Sequence, residues 1–326
     1  VAAEKVKPLA VEYWSLWNRQ IWRMPEGGRV VSLQTVREGT SVELAPRGAG
    51  AWAMHKPVEA PADSEQITKL LGQLRLFRAD GIAAFPAVPE NLANAKDQAV
   101  IRLGVEVPFP TTMPSLAAGA MPKELKVFTF HVVKVDGKVR AWMEGQPVTP
   151  VGEFSESFYA DVTGELRDRT LAKIAPETIK QIRLVNGPDV TEYVTELART
   201  EAGWRYTAGK YVDIDADKVR EFLQDFAALK AERFAAYTDP GTLGLAQGQR
   251  RVELTDAKGQ VVTMSLSDQG PAAGGRYAAL SGVQGVAVLS AADGTKLDKT
   301  WKDFKKADKA DKPEMPPMPM PGMMPQ

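Results

Sequence analysis

Residues 51–85, AWAMHKPVEAPADSEQITKLLGQLRLFRADGIAAF, lie on residues 203–237, GWRYTAGKYVDIDADKVREFLQDFAALKAERFAAY, without a gap at a constant offset of 152. Six positions are identical, among them Trp52 with Trp204, Asp63 with Asp215, Leu71 with Leu223 and Ala79 with Ala231, against roughly two expected by chance. Ile67, Leu70, Leu74 and Phe77 fall on Val219, Phe222, Phe226 and Leu229. With the shared leucine, these positions trace one face of an amphipathic helix in each copy. Asp63 and Asp215 are the expected N-caps, because a short carboxylate accepts from the amides of the first turn, and Gln66 completes a capping-box pattern after Asp63.

Working outward, β-branched segments precede each helix: Val30 to Val36 with Ser41 to Leu44, and Ile179 to Leu184 with Val190 to Leu197. A hairpin is expected after each, LKVFTFHVVKV-DGK-VRAWM turning at Asp136-Gly137 and RVELT-DAKG-QVVTMSL turning at Asp256 to Gly259. FYADV at 158–162 and RYAAL at 276–280 read as matching closing strands. The fold class expected is α+β: two tandem related units, each a small, mainly antiparallel sheet packed against one long amphipathic helix. In this alignment Phe85 to Gly137 spans 52 residues and Tyr237 to Gly259 spans 22, so the first copy carries 30 extra. They fall among Pro86, Pro89, Pro108, Pro110, Pro114 and Pro122, residues that interrupt helices and central strands, and read as a surface loop at about 86–122.

LWNRQIWRM at 16–24 resembles LRDRTLAKI at 166–174. The expected division is therefore 1–28 as the end of a preceding unit, 29–175 as the first repeat, 176–304 as the second, and 305–326 as a disordered Lys/Asp then Pro/Met tail. The phrase at the N-terminus predicts a further unit, or part of one, upstream of Val1.

The chain has 326 residues, 41 basic and 41 acidic side chains and no cysteine. Zero net charge removes the simple electrostatic case for nucleic acid, since a polyanion is bound through a clustered basic surface. Without cysteine there are no disulfides, thiolate metal sites or cysteine nucleophiles. The longest apolar runs, such as Val286 to Leu289, are far shorter than the roughly 20 residues that cross a bilayer as a helix.

Chemistry-bearing patterns are sparse. Of the two histidines, His55 sits in the strand-like segment after Trp52 and His131 on a hairpin strand; neither has a partner at ligand spacing, so both read as strand residues. Asp213, Asp215 and Asp217 resemble the start of a calcium loop, but Lys218 and Gln224 stand where it needs glycine and glutamate, leaving helix-entry acids. GPAAGGRYAALSGVQG at 270–285 lacks the Gly-Lys-Ser/Thr of a phosphate loop and reads as turns. Met315, Met318, Met320, Met323 and Met324 are soft donors without histidine or cysteine beside them and read as tail. Trp52 and Trp204 are expected to pack strand against helix, the rival being an exposed aromatic row for carbohydrate or peptide. No catalytic, cofactor-binding or metal-binding residue is assigned, no cofactor is expected, and the ligand-binding residues stay open.

The phrase W-x-x-x-x-P…P-A-D…I-x-x-L-L-x-x-L at 52–74, LGL at 243–245 and L-R-D-R-x-L at 166–171 resemble an uncharacterised bacterial family, the domain of unknown function 4340, in tandem copies over residues 16–304. The resemblance implies an α+β repeat protein held by one N-terminal helix on the extracytoplasmic side of a membrane, some relatives being encoded beside gliding-type ABC transporter components. The first copy departs from the pattern by lacking a clear Gly-Leu after its helix. The function expected is a non-enzymatic extracytoplasmic scaffold or binding module, with a protein partner in a transport or envelope assembly. The alternatives are a carbohydrate-active or other hydrolase built on acidic residues and tryptophans, and a peptide binder that adds a strand to an open sheet edge. The oligomeric state stays open.

Overall fold

A computed structural model describes residues 19–108, 123–187, 193–210, 212–238, 243, 245, 250–268, 270–271 and 274–307. Trp14, Trp17, Pro110, Pro114, Pro122 and the tail from 308 onward lie outside the described residues. The chain forms two compact units. The first comprises described residues within 19–169, 232–238 and 284–286, and the second those within 170–231, 243–283 and 287–307.

In the first unit the elements are β1 (Gln20–Arg23), β2 (Arg29–Arg37), β3 (Thr40–Gly48), β4 (Ala51–Lys56), β5 (Ala60–Pro61), α1 (Ser64–Arg75), β6 (Leu76–Arg78), β7 (Gly81–Ala84), α2 (Glu90–Ala93), β8 (Ala99–Pro108), β9 (Lys123–Val135), β10 (Lys138–Met143), β11 (Val151–Phe154) and α3 (Glu156–Thr163). Nine strands form one sheet in the order β5-β4-β3-β2-β8-β9-β10-β11-β7, and β1 pairs with β6 apart from it. The strands alternate: Leu33, Leu44, Met54, Ile101, Leu103, Val105, Phe130 and Val132 are buried in one core with Ile67, Leu70, Leu71 and Leu74 of α1. Phe77 anchors that core, edge-on to Phe130 at 5.0 Å and stacked on Phe154 at 4.7 Å. The β9–β10 turn takes positive φ at both Asp136 (51°) and Gly137 (72°), the backbone that a tight two-residue hairpin requires.

The second unit opens with a 3-10 turn (Pro176–Thr178) and continues with β12 (Ile179–Asn186), β13 (Val194–Thr200), β14 (Gly203–Tyr206) and α4 (Ala216–Ala227). After β15 (Arg233–Ala236), which falls with the first unit, come β16 (Arg250–Asp256), β17 (Val261–Leu266), β18 (Arg276–Leu280), β19 (Val286–Leu289), α5 (Ala291–Leu297) and α6 (Trp301–Phe304). Its strands run β14-β13-β12-β16-β17-β18-β19. That is the order β4-β3-β2-β8-β9-β10-β11 of the first unit, element for element. The bridge Ala53↔Pro61 recurs 152 residues on as Arg205↔Asp213. Gln20↔Arg78 recurs as Thr170↔Lys230, so the phrases at 16–24 and 166–174 each hold the stretch that follows a helix.

This arrangement corrects the expected fold class. The described residues are mainly antiparallel sheet, 47% strand against 20% helix, and their helices are short. Neither α1 nor α4 exceeds 12 residues, three turns. Phe77, read as the last residue of the helical face, is buried from strand β6 instead. FYADV is helix α3, capped by the Ser155 hydroxyl, which accepts from Phe158 N. Its buried Phe158, Asp161 and Val162 follow helical spacing, and a five-residue apolar run is too short to separate that period from a strand's. The stretch at 86–122 is not simply a surface loop, since it contains β8, a central strand with Ile101, Leu103 and Val105 almost fully buried. The counterpart of RVELTD is therefore β8, and the hairpin β9–β10 corresponds to β17–β18. Most of the length difference then lies within one hairpin, 37 residues from Ala99 to Val135 against 17 from Arg250 to Leu266.

A buried carboxylate ties α3 to α1. Asp161, 5% exposed, accepts from Lys69 Nζ at 2.7 Å, Gln73 Nε2 at 3.0 Å and Gln66 Nε2 at 3.3 Å. Gln66 thus reaches across to α3 rather than back to the cap, and only the Asp63 half of the capping box forms, Gln66 N donating to Asp63 Oδ1 at 3.0 Å. A second knot joins 165–167 to 234–237. The Glu165 carboxylate accepts from Phe234 N and the Tyr237 hydroxyl, both at 2.9 Å, while the Arg167 guanidinium lies 3.9 Å over the Phe234 ring and donates to Gln284 O. Burial, reinforced by the Glu165 charge, pushes the Tyr237 phenol well above its ordinary value. Gly285, with φ 84°, lies so close to Ala236 O that a Cβ would sit 2.3 Å from it.

Two predictions follow from these knots. Asp161→Ala removes a buried carboxylate that accepts from the partly buried Gln66 and Gln73 amides and should cost about 1–3 kcal/mol in urea unfolding. Lys69→Ala, at a side chain 56% exposed, should cost well under 1 kcal/mol. Because the Tyr237 phenol ionises at a higher pH in the fold than in the unfolded chain, its contribution is complete below about pH 10 and declines as pH rises beyond it. The stability difference between wild type and Tyr237→Phe should therefore shrink from about pH 9 to about pH 11; a constant difference in chemical melts would contradict the assignment.

Candidate functional site

The two matched tryptophans part company in the structure. Trp52 on β4 is 9% exposed and belongs to the first core, its backbone N–H donating to Ser64 Oγ at 3.0 Å. Trp204 on β14 is only half-buried and lines a cavity of about 520 Å³ in the second unit. The packing role expected for both therefore describes Trp52 better than Trp204.

Three elements build this groove. One wall is the α4 stripe Ala216, Arg220, Leu223 and Gln224, spaced i, i+4, i+7 and i+8 along one side of the helix. Leu223, 2% exposed, is the floor. The opposite wall is the end of β13 and the start of β14, contributing Arg199, Gly203 and Trp204, and Pro176 with Glu177 of the 3-10 turn close the end. Gly203 turns the chain into β14 with φ 116°, a backbone that favours glycine.

Charge is placed around the indole. Arg199 Nη1 donates to Glu177 O at 3.0 Å, bracing the rim, and Arg220 Nη2 lies 2.8 Å from Asp217 Oδ1 with both side chains largely exposed. A guanidinium offers five N–H donors in a planar fork suited to a carboxylate. An indole face and a leucine floor flanked by two guanidiniums suit a ligand with an apolar side chain and a nearby carboxylate.

The other residues singled out from the sequence lie elsewhere. Asp215 caps α4 by accepting from Asp217 N, Asp217 pairs with Arg220, and Asp213 accepts from Lys306 N through its backbone oxygen. His55 is 49% exposed, 3.0 Å from Glu59, in an open cavity of about 480 Å³ shared with Arg47 and Pro61. His131 stacks on Trp142 at 5.1 Å with Nε2 3.3 Å from Glu144. The glycines of 270–285 flank β18, Gly274, Gly282 and Gly285 taking positive φ. Trp22 and Trp142 are buried, and Trp301 stacks on Tyr206 at 5.8 Å. Among the described residues no group of three or more His, Asp or Glu could hold a metal ion, and no helix is long and apolar enough to cross a membrane.

Arg199, Glu177, Arg220 and Gln224 were missed from sequence. The signal was present in the comparison of the copies at outward positions, where Arg220 and Gln224 replace Thr68 and Gly72. A family described as a domain of unknown function (DUF4340) matches residues 144–248 and 204–310, two overlapping stretches that both contain the α4 wall of the groove. No curated protein and no solved structure matches the chain.

The contrast between the tryptophans is testable. Trp52→Ala should destabilise by about 3–5 kcal/mol, as expected for a large aromatic lost from a core, while Trp204→Ala should cost about 1 kcal/mol or less. Relative to wild type, Trp204→Phe should lower the acrylamide-quenchable share of the tryptophan emission and Trp52→Phe should raise it.

Proposed function

The chain belongs to the DUF4340 family, and from its geometry we propose that it is a non-enzymatic binding module whose Trp204 groove receives a peptide segment of a protein partner. The observation that carries this reading is the asymmetry of the repeat: at one matched tryptophan the second copy opens a cavity and rings it with Arg199, Arg220 and Gln224. An apolar side chain of the partner would lie against the Trp204 indole over Leu223, and a carboxylate would meet a guanidinium. Binding of this kind draws its affinity from a few anchors, aromatic and arginine side chains above all. The setting proposed is the extracytoplasmic side of a membrane, within an envelope or transport assembly, a part that rests on what the family resemblance implies. A carbohydrate-active hydrolase calls for two carboxylates facing each other across a cleft, and the groove lining contributes one, Glu177, so the binding reading is the one put forward.

Photo-crosslinking in intact cells tests it. The full chain carrying p-benzoylphenylalanine at Arg220 or Gln224 should yield one and the same protein adduct, and Trp204→Ala should abolish it. The exposed turn position Glu38, between β2 and β3 of the first unit, should yield none. An adduct that persists in Trp204→Ala, or that forms equally from Glu38, would overturn the proposal.

A further inference from the structure

The long hairpin of the first unit carries an open sheet edge. β9 is paired with β8 from Lys123↔Pro108 to Val132↔Ala99. On its other side β10 pairs only with Phe130 to Val135, and the last bond on that side is Glu144 N to Thr129 O. Among the described residues, the Lys123 to Phe128 backbone has no strand on this flank. Leu125 and Val127, each 61% exposed, stand on one face of this arm, whereas Phe128 turns to the other and packs on Trp22 at 4.8 Å. The corresponding hairpin of the second unit is 20 residues shorter.

An exposed edge with alternating apolar side chains is a template for a further strand. The sequence along this one, KELKVF, indicates which strand fits. In antiparallel pairing about a two-fold axis through Leu125, Glu124 lies opposite Lys126 of a second copy and Lys126 opposite the second copy's Glu124. Leu125 meets its own counterpart. The alternative axis through Lys126 would set two lysines directly opposite, which is unfavourable. Within one chain Glu124 and Lys126 already lie 3.2 Å apart, both about half-exposed, so the seam exchanges the pair inside each copy for two pairs between the copies and sets no like charges against each other. Lys123 is held back by Glu106 at 3.2 Å, away from the shared seam. We propose that two copies of this chain associate through the Lys123–Phe128 edge of β9, joining their nine-stranded sheets across an isologous antiparallel seam.

Sedimentation of the full chain with charge-swapped variants tests this. Wild type should dimerise in the micromolar range typical of a small seam, at about 10–100 μM. Lys126→Glu alone places like charges opposite each other at both ends and should weaken association at least about tenfold. The double variant Glu124→Lys with Lys126→Glu restores opposite charges and should recover the wild-type constant. These side chains are exposed, so circular dichroism should be unchanged in both variants. A wild type that stays monomeric above about 500 μM, or a dimer equally strong in the single and double variants, would overturn the proposal.

Discussion

The ladder between β2 and β8 is the constraint on which the first unit depends, and its counterpart between β12 and β16 does the same for the second. Leu33↔Leu103 joins positions 70 residues apart, and Ile182↔Leu254 joins positions 72 apart. Between the two strands of each ladder the chain makes a meander and a three-turn helix, so forming the ladder returns the chain to the middle of the sheet. In the first unit that return lays the inward faces of β2, β8 and β9 beneath Ile67, Leu70, Leu71 and Leu74. A helix of this length has little stability by itself and acquires it from the face it buries. Asp161 then fixes α3 against α1 by accepting from three side chains of α1.

How far this was legible depended on how local each signal was. The helix entries at Asp63 and Asp215, the helical faces and the Asp136-Gly137 turn are set by residues within a few positions of one another, and they could be read directly. β8 could not. The prolines of the surrounding stretch suggested an excursion, whereas Ile101, Leu103 and Val105 are held in place by strands distant in sequence. Missing that strand shifted the hairpin by one element, and passing over β11 shifted FYADV by a second, which is why it was set against β18 when its true counterpart is α5. Ser155 and Ser290, each capping the helix that follows with its hydroxyl, are the local signal that could have corrected the register.

The groove was less legible than the fold because its residues carry no motif. Leu223 and Trp204 were visible as repeat positions, but their shared sequence pattern describes packing, and packing is what Trp52 does in the first copy. Function is read here from the departures between copies: Arg220 for Thr68, Gln224 for Gly72, and a longer β8–β9 arm in place of a compact hairpin. A duplicated framework can keep one set of inward residues while its outward positions diverge, since only the former are bound by close packing.

The first unit includes residues 232–238, which the ribosome makes only after β12 to β14 and α4 of the second unit, and 284–286, which it makes after β16 to β18 as well. The Glu165 carboxylate therefore waits for Phe234 and Tyr237, and Arg167 for Gln284, while α4 and β12 to β14 are already synthesised. At about 5–20 residues per second, that interval lasts several seconds. Through it the first sheet exists without its last contacts, and completion of the earlier unit becomes a late event in the birth of the later one.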